Sequence, residues 1–418
     1  MQINEILNNI GKKSKVSQKE IAASSHQIRN KILKLCAKKI KQNTNLIIEA
    51  NKIDVSLAKK NGLKNSYIDR LNLDVKRVKA MAKSLSDISK LPDPLDRKSE
   101  EWKRPNGLRI TKRPTPLGVL GVIYESRPNV TADAAGLSIK SGNSVILKCG
   151  SDSFNSCEVI SELIRKSLTE CKVSSNVVQL VPSKNREVVD HMLKMSGIID
   201  VIIPRGGKSL VEKVQNDARV PVFSHLEGIC HIYVDEFANF EKSVSVVVNG
   251  KMRRTGICGA TESLLINNKI ARSFLPIIYS DLKTAGCEMV GDKKSKTIIS
   301  EMELAKEEDW STEYLGPKIS IKIVDDLNDA IKHIEKFGSQ HTDAIMTENK
   351  ANADFFTKSV DSAIVMVNAS TQFADGGEFG LGAEIGISTG RLHARGPVGA
   401  EQLTSFKYVV HGNGQIRP

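Results

Sequence analysis

Cys258 stands in the part of the sequence best suited to covalent chemistry. It lies between Gly256 and Gly259, just after cations that include Arg253 and Arg254. Nearby positive charge lowers the pKa of a thiol and favours the thiolate, which is the nucleophilic form. A small residue buried at a tight turn is the alternative for any single cysteine. Here the cations and the flanking glycines favour a nucleophile.

Asn129 is a second candidate, because it follows an apolar run at 117–124 and precedes a helix predicted to begin near Val130. The carboxyl ends of parallel strands are where α/β sheets bind their ligands. An asparagine side chain there can donate its amide to a developing oxyanion. The alternative is that Asn129 only caps the helix. The residues alone leave both interpretations open.

Phosphate binding is indicated where a predicted strand runs into a predicted helix through Gly206, Gly207 and Lys208. Backbone amides and the dipole at a helix N-terminus can hold a phosphate group. The stretch is neither a GxGxxG nor a P-loop sequence, so the signal is weak alone. Lys148, at the end of another predicted strand, could meet the same cofactor, although most exposed lysines at strand ends bind nothing.

The stretch 375–386 contains too many glycines for a helix or a strand. It predicts a long loop whose backbone passes close to another part of the molecule. An ordinary surface loop is the alternative. Downstream, Arg395 adds a further cation.

The secondary-structure elements that must position these residues differ before and after residue 117. Before it the pattern is helical, with Ser17 as a candidate cap and Asn43 or Asn45 before another helix. After it, short β-branched runs alternate with amphipathic segments. The predicted strands are 117–124, 144–148, 177–182, 200–203, 231–234, 263–266, 319–324, 344–346 and 363–367. This alternation predicts an α/β fold with doubly wound parallel sheets.

Two α/β series are separated by the stretch 223–228, which we predict to be the hinge between them. The segment 102–113 is polar, alternates weakly and precedes two prolines, which predicts an excursion from the compact body. The run 403–410 alternates like an exposed strand. Because strands left at an edge are usually paired with something, we expect a partner subunit.

Composition limits the class of protein. The chain has 418 residues, of which 40% are hydrophobic and 26% charged, which predicts a globular protein of about two to three domains. The net charge of +13 could indicate nucleic-acid binding, but only 5% of the residues are aromatic and the basic residues are scattered. The densest basic stretch, 31–41, predicts an amphipathic surface helix. We therefore expect no nucleic-acid partner.

The cysteines and the apolar segments indicate the compartment. Seven cysteines without a CxxC or paired metal-ligand spacing predict free thiols in a reducing compartment, and no metal site. No window approaches the roughly 18 apolar residues of a membrane span. The start, Met1–Glu5, lacks a basic region leading into an apolar one. We expect a cytoplasmic protein without a membrane partner.

Together these motifs resemble the gamma-glutamyl phosphate reductase family, also called glutamate-5-semialdehyde dehydrogenases, of the aldehyde dehydrogenase superfamily. The resemblance runs from the early helices to the C-terminus and is densest at 124–131, 230–235, 249–262, 341–345 and 373–399. It implies an aldehyde dehydrogenase-like α/β fold with two doubly wound parallel-sheet domains and a small β oligomerisation arm. The implied parts are N-terminal helices and a dinucleotide-binding domain (1–101 and 114–228), a catalytic domain (229–395), and an arm with a C-terminal strand (102–113 and 396–418).

The resemblance also implies an activity. Members of the family reduce L-glutamyl 5-phosphate with NADPH to L-glutamate 5-semialdehyde and phosphate, the second step of proline biosynthesis, through a cysteine thioester. Cys258 matches the nucleophile, and the Asn129 side chain with the Cys258 amide matches the oxyanion donors. For the cofactor, Glu313 matches the glutamate that holds the nicotinamide ribose, and Lys148 matches the lysine near the adenosine ribose or its phosphate. The pyrophosphate turn matches Gly206, Gly207 and Lys208.

Four cations within matched motifs are expected to bind the anionic substrate, namely Arg127, Lys251, Arg254 and Arg395. The stretch 225–228 reads His-Leu-Glu-Gly, without the Glu-Leu-Gly-Gly general base of hydrolytic relatives, although Glu227 lies close by. Near the nucleophile, Gly259 and Thr255 depart from the Asn and Pro that are common in the family. A general NAD(P)-dependent aldehyde dehydrogenase is the alternative. We also expect a homo-oligomer and a transient complex with a glutamate 5-kinase.

Overall fold

The computed structural model describes residues 3–97 and 100–417. The helices are α1 (Ile3–Ala23), α2 (His26–Gln42), α3 (Thr44–Lys60), α4 (Asn65–Leu71), α5 (Val75–Lys90), α6 (Val130–Lys140), α7 (Phe154–Glu170), α8 (Glu187–Met192), α9 (Lys208–Asp217), α10 (Phe240–Met252), α11 (Asn268–Thr284), α12 (Lys293–Ile298), α13 (Leu327–Phe337) and α14 (Lys350–Ser359). The strands are β1 (Glu100–Lys103), β2 (Arg109–Pro116), β3 (Val119–Tyr124), β4 (Ser144–Cys149), β5 (Val178–Leu180), β6 (Val201–Arg205), β7 (Cys230–Val234), β8 (Thr261–Asn267), β9 (Glu288–Gly291), β10 (Glu303–Leu304), β11 (Lys318–Val324), β12 (Thr342–Met346), β13 (Ile364–Val367), β14 (Ile387–Ser388), β15 (Gly396–Pro397) and β16 (Thr404–His411).

The described chain divides into two compact units. Unit 1 comprises residues 1–224, 380–386 and 398–418, and unit 2 comprises 225–379 and 387–397. The division between Ser224 and His225 falls inside the stretch 223–228, which the sequence predicts to be a hinge. Residues 1, 2, 98, 99 and 418, on which the predicted leaderless start and parts of the predicted domain limits fall, lie outside the described residues.

Unit 1 contains a parallel sheet of order β5-β4-β3-β6, as the alternating pattern predicts. Every residue of β3 and β4 is buried, because helices cover parallel sheets on both faces. The core of one face joins α1 and α8 to the sheet through Leu7, Ile10, Val119, Ile146 and Met192. This packing fixes the carboxyl ends of β3 and β4, where a ligand can bind.

The N-terminal region is helical as predicted, but the expected cap at Ser17 is wrong. Ser17 lies inside α1, where its buried hydroxyl donates to the Lys13 carbonyl at 2.8 Å. A serine can satisfy its hydroxyl on the preceding helical turn, so its presence does not require a helix end. Asn43 does precede α3, as one of the two predicted alternatives.

A short antiparallel sheet of order β1-β2-β16 also belongs to unit 1. It contains the predicted excursion at 102–113 and the predicted exposed strand at 403–410. Strand β16 pairs with β2 from Thr404 opposite Pro116 to His411 opposite Arg109. Trp102, Phe406 and Tyr408 are exposed on this sheet and stack edge to face.

Unit 2 is built on a parallel sheet of order β10-β9-β11-β8-β7-β12-β13. Strand β8 is wholly buried, and Phe274 and Ile278 of α11 pack in the same core as its Leu264 and Ile266. The sheet leaves β13 as one of its edges, beside a cavity of about 430 Å³ lined by apolar residues that include Met366 and Phe379.

The glycine-dense stretch is a long irregular connection, as predicted. Part of it, 380–386, packs in unit 1. At Gly382 a Cβ atom would lie 3.2 Å from Leu91 and 3.4 Å from the Ile88 nitrogen, and φ is +75°. Close backbone approach and a left-handed conformation together explain why glycine occurs there. None of the described helices combines the length and apolar character that a membrane crossing requires.

Candidate active site

Cys258 lies in unit 2, in the loop that joins the end of α10 to the start of β8. Its side chain is half-buried. A Cβ atom on Gly228 would lie 2.1 Å from the Cys258 carbonyl oxygen and 2.6 Å from its Cα, so only glycine fits there. The Cys230 thiol donates to the same carbonyl at 3.1 Å. The backbone at Cys258 is therefore held by close packing against the segment that leads into β7.

A buried ion pair joins the two ends of this loop. The ammonium group of Lys251, at the end of α10, contacts the carboxylate of Glu262 in β8, and the side chains are 0% and 1% exposed. Burial raises the pKa of Glu262 to about 7, although Lys251 and a hydrogen bond from the Leu315 amide favour the ionised form. The pair fixes the distance between the loop ends.

This pair corrects the expectation that Lys251 binds the substrate. Its ammonium group is enclosed with Glu262 inside unit 2 and has no exposed face. The sequence showed a cation close to the nucleophile but could not show that the cation is neutralised. We do not retain Lys251 as a substrate-binding residue.

Two imidazoles surround the Cys258 thiol. Donor atoms of His225, Cys258 and His341 all lie within 4.8 Å of one another. The two rings meet edge to face, with centroids 5.0 Å apart. His225 Nδ1 lies 2.7 Å from the Ile387 carbonyl oxygen, and His341 Nδ1 lies 2.9 Å from Thr342 Oγ1. Both rings are thus oriented by oxygen atoms on their Nδ1 side.

The imidazoles control the ionisation of the thiol. Burial alone would raise the pKa of Cys258, but the adjacent His341 and His225 lower it well below its ordinary value. A thiolate stabilised by imidazoles is the reactive form of a cysteine nucleophile. The geometry therefore supports the nucleophile chosen from the sequence. Neither histidine was assigned a role from the sequence, because each lies far from Cys258 along the chain.

Glu313 lies beside the nucleophile loop. Its Oε1 accepts a hydrogen bond from the Gly228 amide at 2.9 Å. Burial raises its pKa, while that hydrogen bond acts in the opposite direction. The contact ties Glu313 to the backbone that supports Cys258. Its expected contact with a nicotinamide ribose stays a prediction.

A second cavity, of about 520 Å³, lies in unit 1 at the carboxyl ends of β3 and β4. Lys148, Lys184 and Arg186 contribute positive charge to its lining. Lys148 is 4% exposed and donates to the Cys149 carbonyl at 2.8 Å, and burial lowers its pKa. Lys184 and Arg186 were not singled out in the sequence, because they lie in a polar connection without a motif.

The predicted pyrophosphate turn borders the same cavity. Strand β6 ends at Arg205 and α9 begins at Lys208, so Gly206 and Gly207 form the connection, as expected for a strand-to-helix turn. Ser209, in the first turn of α9, lines the cavity. A Cβ at Gly206 would lie 2.6 Å from Leu210 and 2.8 Å from Glu125, whereas Gly207 has more space. The first helical turn thus offers backbone amides at this cavity.

Asn129 lies in unit 1, directly before α6, and its side chain is exposed. Its amide nitrogen donates to Asp133 Oδ2 at 3.1 Å, and its side chain makes no capping hydrogen bond. Asn129 thus occupies the N-cap position of α6 but does not cap the helix with its side chain. The role of Asn129 as an oxyanion donor stays a prediction.

The remaining predicted cations differ in their surroundings. Arg395 is bound to the carboxylate and carbonyl of Asp361, at 2.6 and 2.8 Å, within unit 2. Arg254 is exposed in the nucleophile loop, four residues before Cys258. Arg127 is half-buried in the connection between β3 and α6 of unit 1. The guanidinium group of Arg395 is thus engaged by an acidic neighbour in the structure.

The chain is similar to known proteins along its whole length. The aldehyde dehydrogenase family model matches residues 4–303. A gamma-glutamyl phosphate reductase of Paramagnetospirillum magneticum is 50% identical over 416 residues, covering 100% of this chain and 98% of that protein. The solved structure of a gamma-glutamyl phosphate reductase from Thermotoga maritima is 42% identical, with a TM-score of 0.95 over 99% of this chain and 100% of that one.

More distant solved structures share the fold of this chain. An engineered glycolyl-CoA reductase, solved with bound NADP⁺, is 17% identical, with a TM-score of 0.70 over 96% of each chain. At this identity the likeness concerns the fold alone. The extent and identity of the nearer matches establish membership: this chain belongs to the gamma-glutamyl phosphate reductases of the aldehyde dehydrogenase family.

Proposed function

We propose that this oxidoreductase reduces L-glutamyl 5-phosphate to L-glutamate 5-semialdehyde and phosphate in proline biosynthesis, as the names of its relatives indicate. The observation that carries the proposal is the Cys258 thiol enclosed by two imidazoles that lower its pKa. A thiolate is needed to displace phosphate from an acyl phosphate. Cys258 supplies this thiolate from a loop whose two ends are joined by the ion pair between Lys251 and Glu262.

The chemistry on the protein side has three stages. The Cys258 thiolate attacks the acyl carbonyl carbon, the C–O bond to phosphate breaks, and a thioester remains on the sulfur. NADPH, when bound, supplies the hydride that reduces the thioester carbonyl. The C–S bond then breaks, the aldehyde leaves and Cys258 returns as the thiolate. His341 and His225 stabilise the thiolate both before attack and after release.

The cavity of unit 1 fits a phosphorylated dinucleotide. We propose that the first turn of α9, with Gly206, Gly207 and Lys208, holds the pyrophosphate. Lys148, Lys184 and Arg186 would then hold the adenosine ribose and its 2′-phosphate, because cations are what an additional phosphate group requires. Such contacts would favour NADPH over NADH, although Glu125 and Asp152 also line the cavity.

A cofactor-selectivity experiment tests this assignment. Arg186→Ala should raise the KM for NADPH about tenfold or more, since a charge-assisted hydrogen bond contributes roughly 1.5–3 kcal/mol. The KM for NADH should change little, because NADH has no 2′-phosphate. Lys166→Ala, an exposed lysine of α7 outside the cavity lining, is the matched control. Equal effects on both cofactors would remove Arg186 from the 2′-phosphate site.

The reaction itself is tested in reverse, by NADP⁺ reduction with glutamate 5-semialdehyde in the presence and absence of phosphate. The wild type should require phosphate, and Cys258→Ala, checked for folding by its melting temperature, should be inactive. Activity without phosphate would instead indicate a general NAD(P)-dependent aldehyde dehydrogenase. Retention of activity in Cys258→Ala would overturn the proposed nucleophile.

Arg254 and Arg127 remain proposed contacts for the anionic groups of the substrate, and Asn129 for the oxyanion. Arg254 is exposed beside the nucleophile, so Arg254→Ala should raise the substrate KM far more than it changes the melting temperature. Asp361 already binds the guanidinium group of Arg395, so a substrate anion would have to displace that carboxylate. An unchanged KM would exclude the arginine concerned.

We also propose that the chain forms a homo-oligomer through the sheet β1-β2-β16. Its exposed aromatic side chains, Trp102, Phe406 and Tyr408, offer an apolar surface of the kind that a second copy covers. Tyr408→Asp should shift the mass measured by analytical ultracentrifugation toward the monomer. An unchanged mass would place the interface elsewhere.

Two further proposals concern the surroundings of the enzyme. All seven cysteines are free in the structure, which fits a reducing compartment such as the cytoplasm, and cell fractionation tests it. Because acyl phosphates hydrolyse and cyclise readily, a transient complex with a glutamate 5-kinase would protect the substrate. Absence of co-sedimentation at high concentrations of both proteins would count against that complex.

A further inference from the structure

The three side chains around the nucleophile are also a set of metal ligands. One thiol and two imidazoles place their donor atoms within 4.8 Å of one another, at His225, Cys258 and His341. Sulfur and imidazole nitrogen are the ligands that Zn²⁺ prefers, usually in a tetrahedral arrangement. Since no carboxylate belongs to this set, it does not suit Mg²⁺ or Ca²⁺, which bind oxygen.

The orientation of the rings supports ligation. His225 Nδ1 faces the Ile387 carbonyl oxygen at 2.7 Å, and a carbonyl only accepts, so Nδ1 carries a proton. In the neutral ring Nε2 then carries the lone pair that a metal ion requires. His341 Nδ1 lies 2.9 Å from Thr342 Oγ1. Metal-binding histidines commonly use one nitrogen for the metal and donate the other N–H to an oxygen atom. His225 has this arrangement, and the Nδ1 atom of His341 has a hydroxyl oxygen as its neighbour.

A second observation points to a ligand at this position. His341 is 0% exposed, and its Nε2 atom is buried without a hydrogen-bond partner among the residues that the structure describes. A buried polar atom is normally bonded, so one without a partner calls for a specific explanation. A cation held together with Cys258 would satisfy it.

We propose that Cys258, His225 and His341 form an inhibitory site for a thiophilic divalent cation such as Zn²⁺. The cation is coordinated by the sulfur and one nitrogen of each ring, and water completes the coordination. Proton release accompanies binding wherever the thiol or an imidazole is protonated. While the cation is bound, the sulfur lone pair is engaged and cannot attack an acyl phosphate. Removal of the cation by a chelator restores the nucleophile.

Binding of Zn²⁺ alone to the reduced, metal-stripped full chain tests the proposal without turnover. A competing chromophoric chelator should reveal one equivalent of tight binding in the wild type. Cys258→Ala, His225→Gln and His341→Gln should each weaken it at least roughly tenfold. The matched controls are His411→Gln, an exposed histidine of β16, and Cys171→Ala, a half-buried cysteine of unit 1, and both should bind like the wild type.

Co²⁺ provides a direct spectroscopic test that needs no variant of a buried histidine. Binding to the wild type should produce a thiolate-to-cobalt charge-transfer absorption, and Cys258→Ala should lack it. Zn²⁺ should also protect Cys258 from alkylation, with the same concentration dependence as its inhibition of the enzyme. The binding tests stay informative even if the proposed reaction is wrong, because they do not use substrate.

Two results would overturn the proposal. One is the absence of stoichiometric Zn²⁺ binding to a folded, reduced wild type. The other is binding that Cys258→Ala retains at full strength, which would place the cation on another part of the chain.

Discussion

The ion pair between Lys251 and Glu262 leads to a prediction about stability. Both side chains are almost wholly buried, so removing Lys251 leaves an uncompensated charge inside unit 2 at any pH where Glu262 is ionised. Such a change costs about 3–5 kcal/mol. A unit of roughly 150–250 residues loses about 2–4 °C in Tm per kcal/mol. At pH 8, Lys251→Met should therefore lower the Tm of unit 2 by about 6–20 °C.

The effect of Lys251→Met should depend on pH in a defined direction. Burial raises the folded-state pKa of Glu262 from 4.5 to about 7. The protonated carboxyl therefore contributes to the free energy of unfolding in full below pH 4.5, and this contribution is lost as the pH rises through 7. Without Lys251 the pKa rises further. The difference in Tm between wild type and Lys251→Met should therefore be small near pH 5 and large near pH 8.

The double variant Lys251→Met/Glu262→Leu separates this explanation from a simple packing effect. Replacing a buried pair by apolar residues of similar size is often neutral or stabilising. The double variant should therefore melt much closer to the wild type than Lys251→Met does. Its catalytic rate should still fall, because the ends of the nucleophile loop are no longer tied by charge.

Fluorescence can follow unit 2 alone. The chain has two tryptophans, and Trp310, 8% exposed, lies in unit 2. In a Trp102→Phe background its emission reports the unfolding of that unit. Destabilisation of the double variant equal to the sum of the two single effects would refute the reasoning, because it would mean that the partners are not coupled.

Three further outcomes are expected. Gly228→Ala should abolish activity with little loss of secondary structure, because the added Cβ atom would overlap the Cys258 backbone. Enzyme kinetics measure the activity and circular dichroism measures the secondary structure. Full activity in this variant would contradict the geometry. In a Cys171→Ala background, the rate of Cys258 alkylation by iodoacetamide should rise with pH, with a midpoint well below pH 9. In His341→Gln this midpoint should move up by about one pH unit or more. An unchanged midpoint would exclude the His341 imidazole as the cause of the lowered thiol pKa. Asp54→Ala should lower the Tm of unit 1, at a cost of about 2–3 kcal/mol in the free energy of unfolding. The buried carboxylate of Asp54 accepts four hydrogen bonds at the start of α7, including the one from the Ser156 backbone amide at 2.8 Å. Calorimetry measures the Tm, and a shift of under a degree would show that these hydrogen bonds contribute nothing to stability.

Much of the fold could be predicted from the sequence, because buried parallel strands are continuous apolar runs. The nine predicted strands all correspond to observed ones, although the boundaries differ by a few residues, as at 177–182 against Val178–Leu180. Strands β9, β10, β14 and β15 were missed, since each has only two to four residues. Short segments lack the hydrophobic pattern on which such predictions depend.

The site was only partly predictable, and for a physical reason. Cys258 carried local signals, namely adjacent cations and glycines, and the structure gives it a lowered pKa. His225 and His341 carried none, because their proximity to Cys258 depends on tertiary folding. Lys251 was predicted to bind the substrate, because the sequence shows its charge but does not show that Glu262 pairs with it in the folded chain. Burial and pairing are properties of the folded chain.

The discontinuity of unit 1 has a consequence for the order in which the chain is made. Strand β2 has β1 on one side, but its other neighbour, β16, lies at Thr404–His411, after the whole of unit 2. At about 5–20 residues per second, a ribosome needs roughly ten to forty seconds to pass from the end of the first segment of unit 1 to β16. During that interval β2 presents an unpaired backbone edge, the kind of edge that recruits other strands. Nascent chains of this protein are therefore most vulnerable to aggregation, and most in need of a chaperone, while unit 2 is being synthesised.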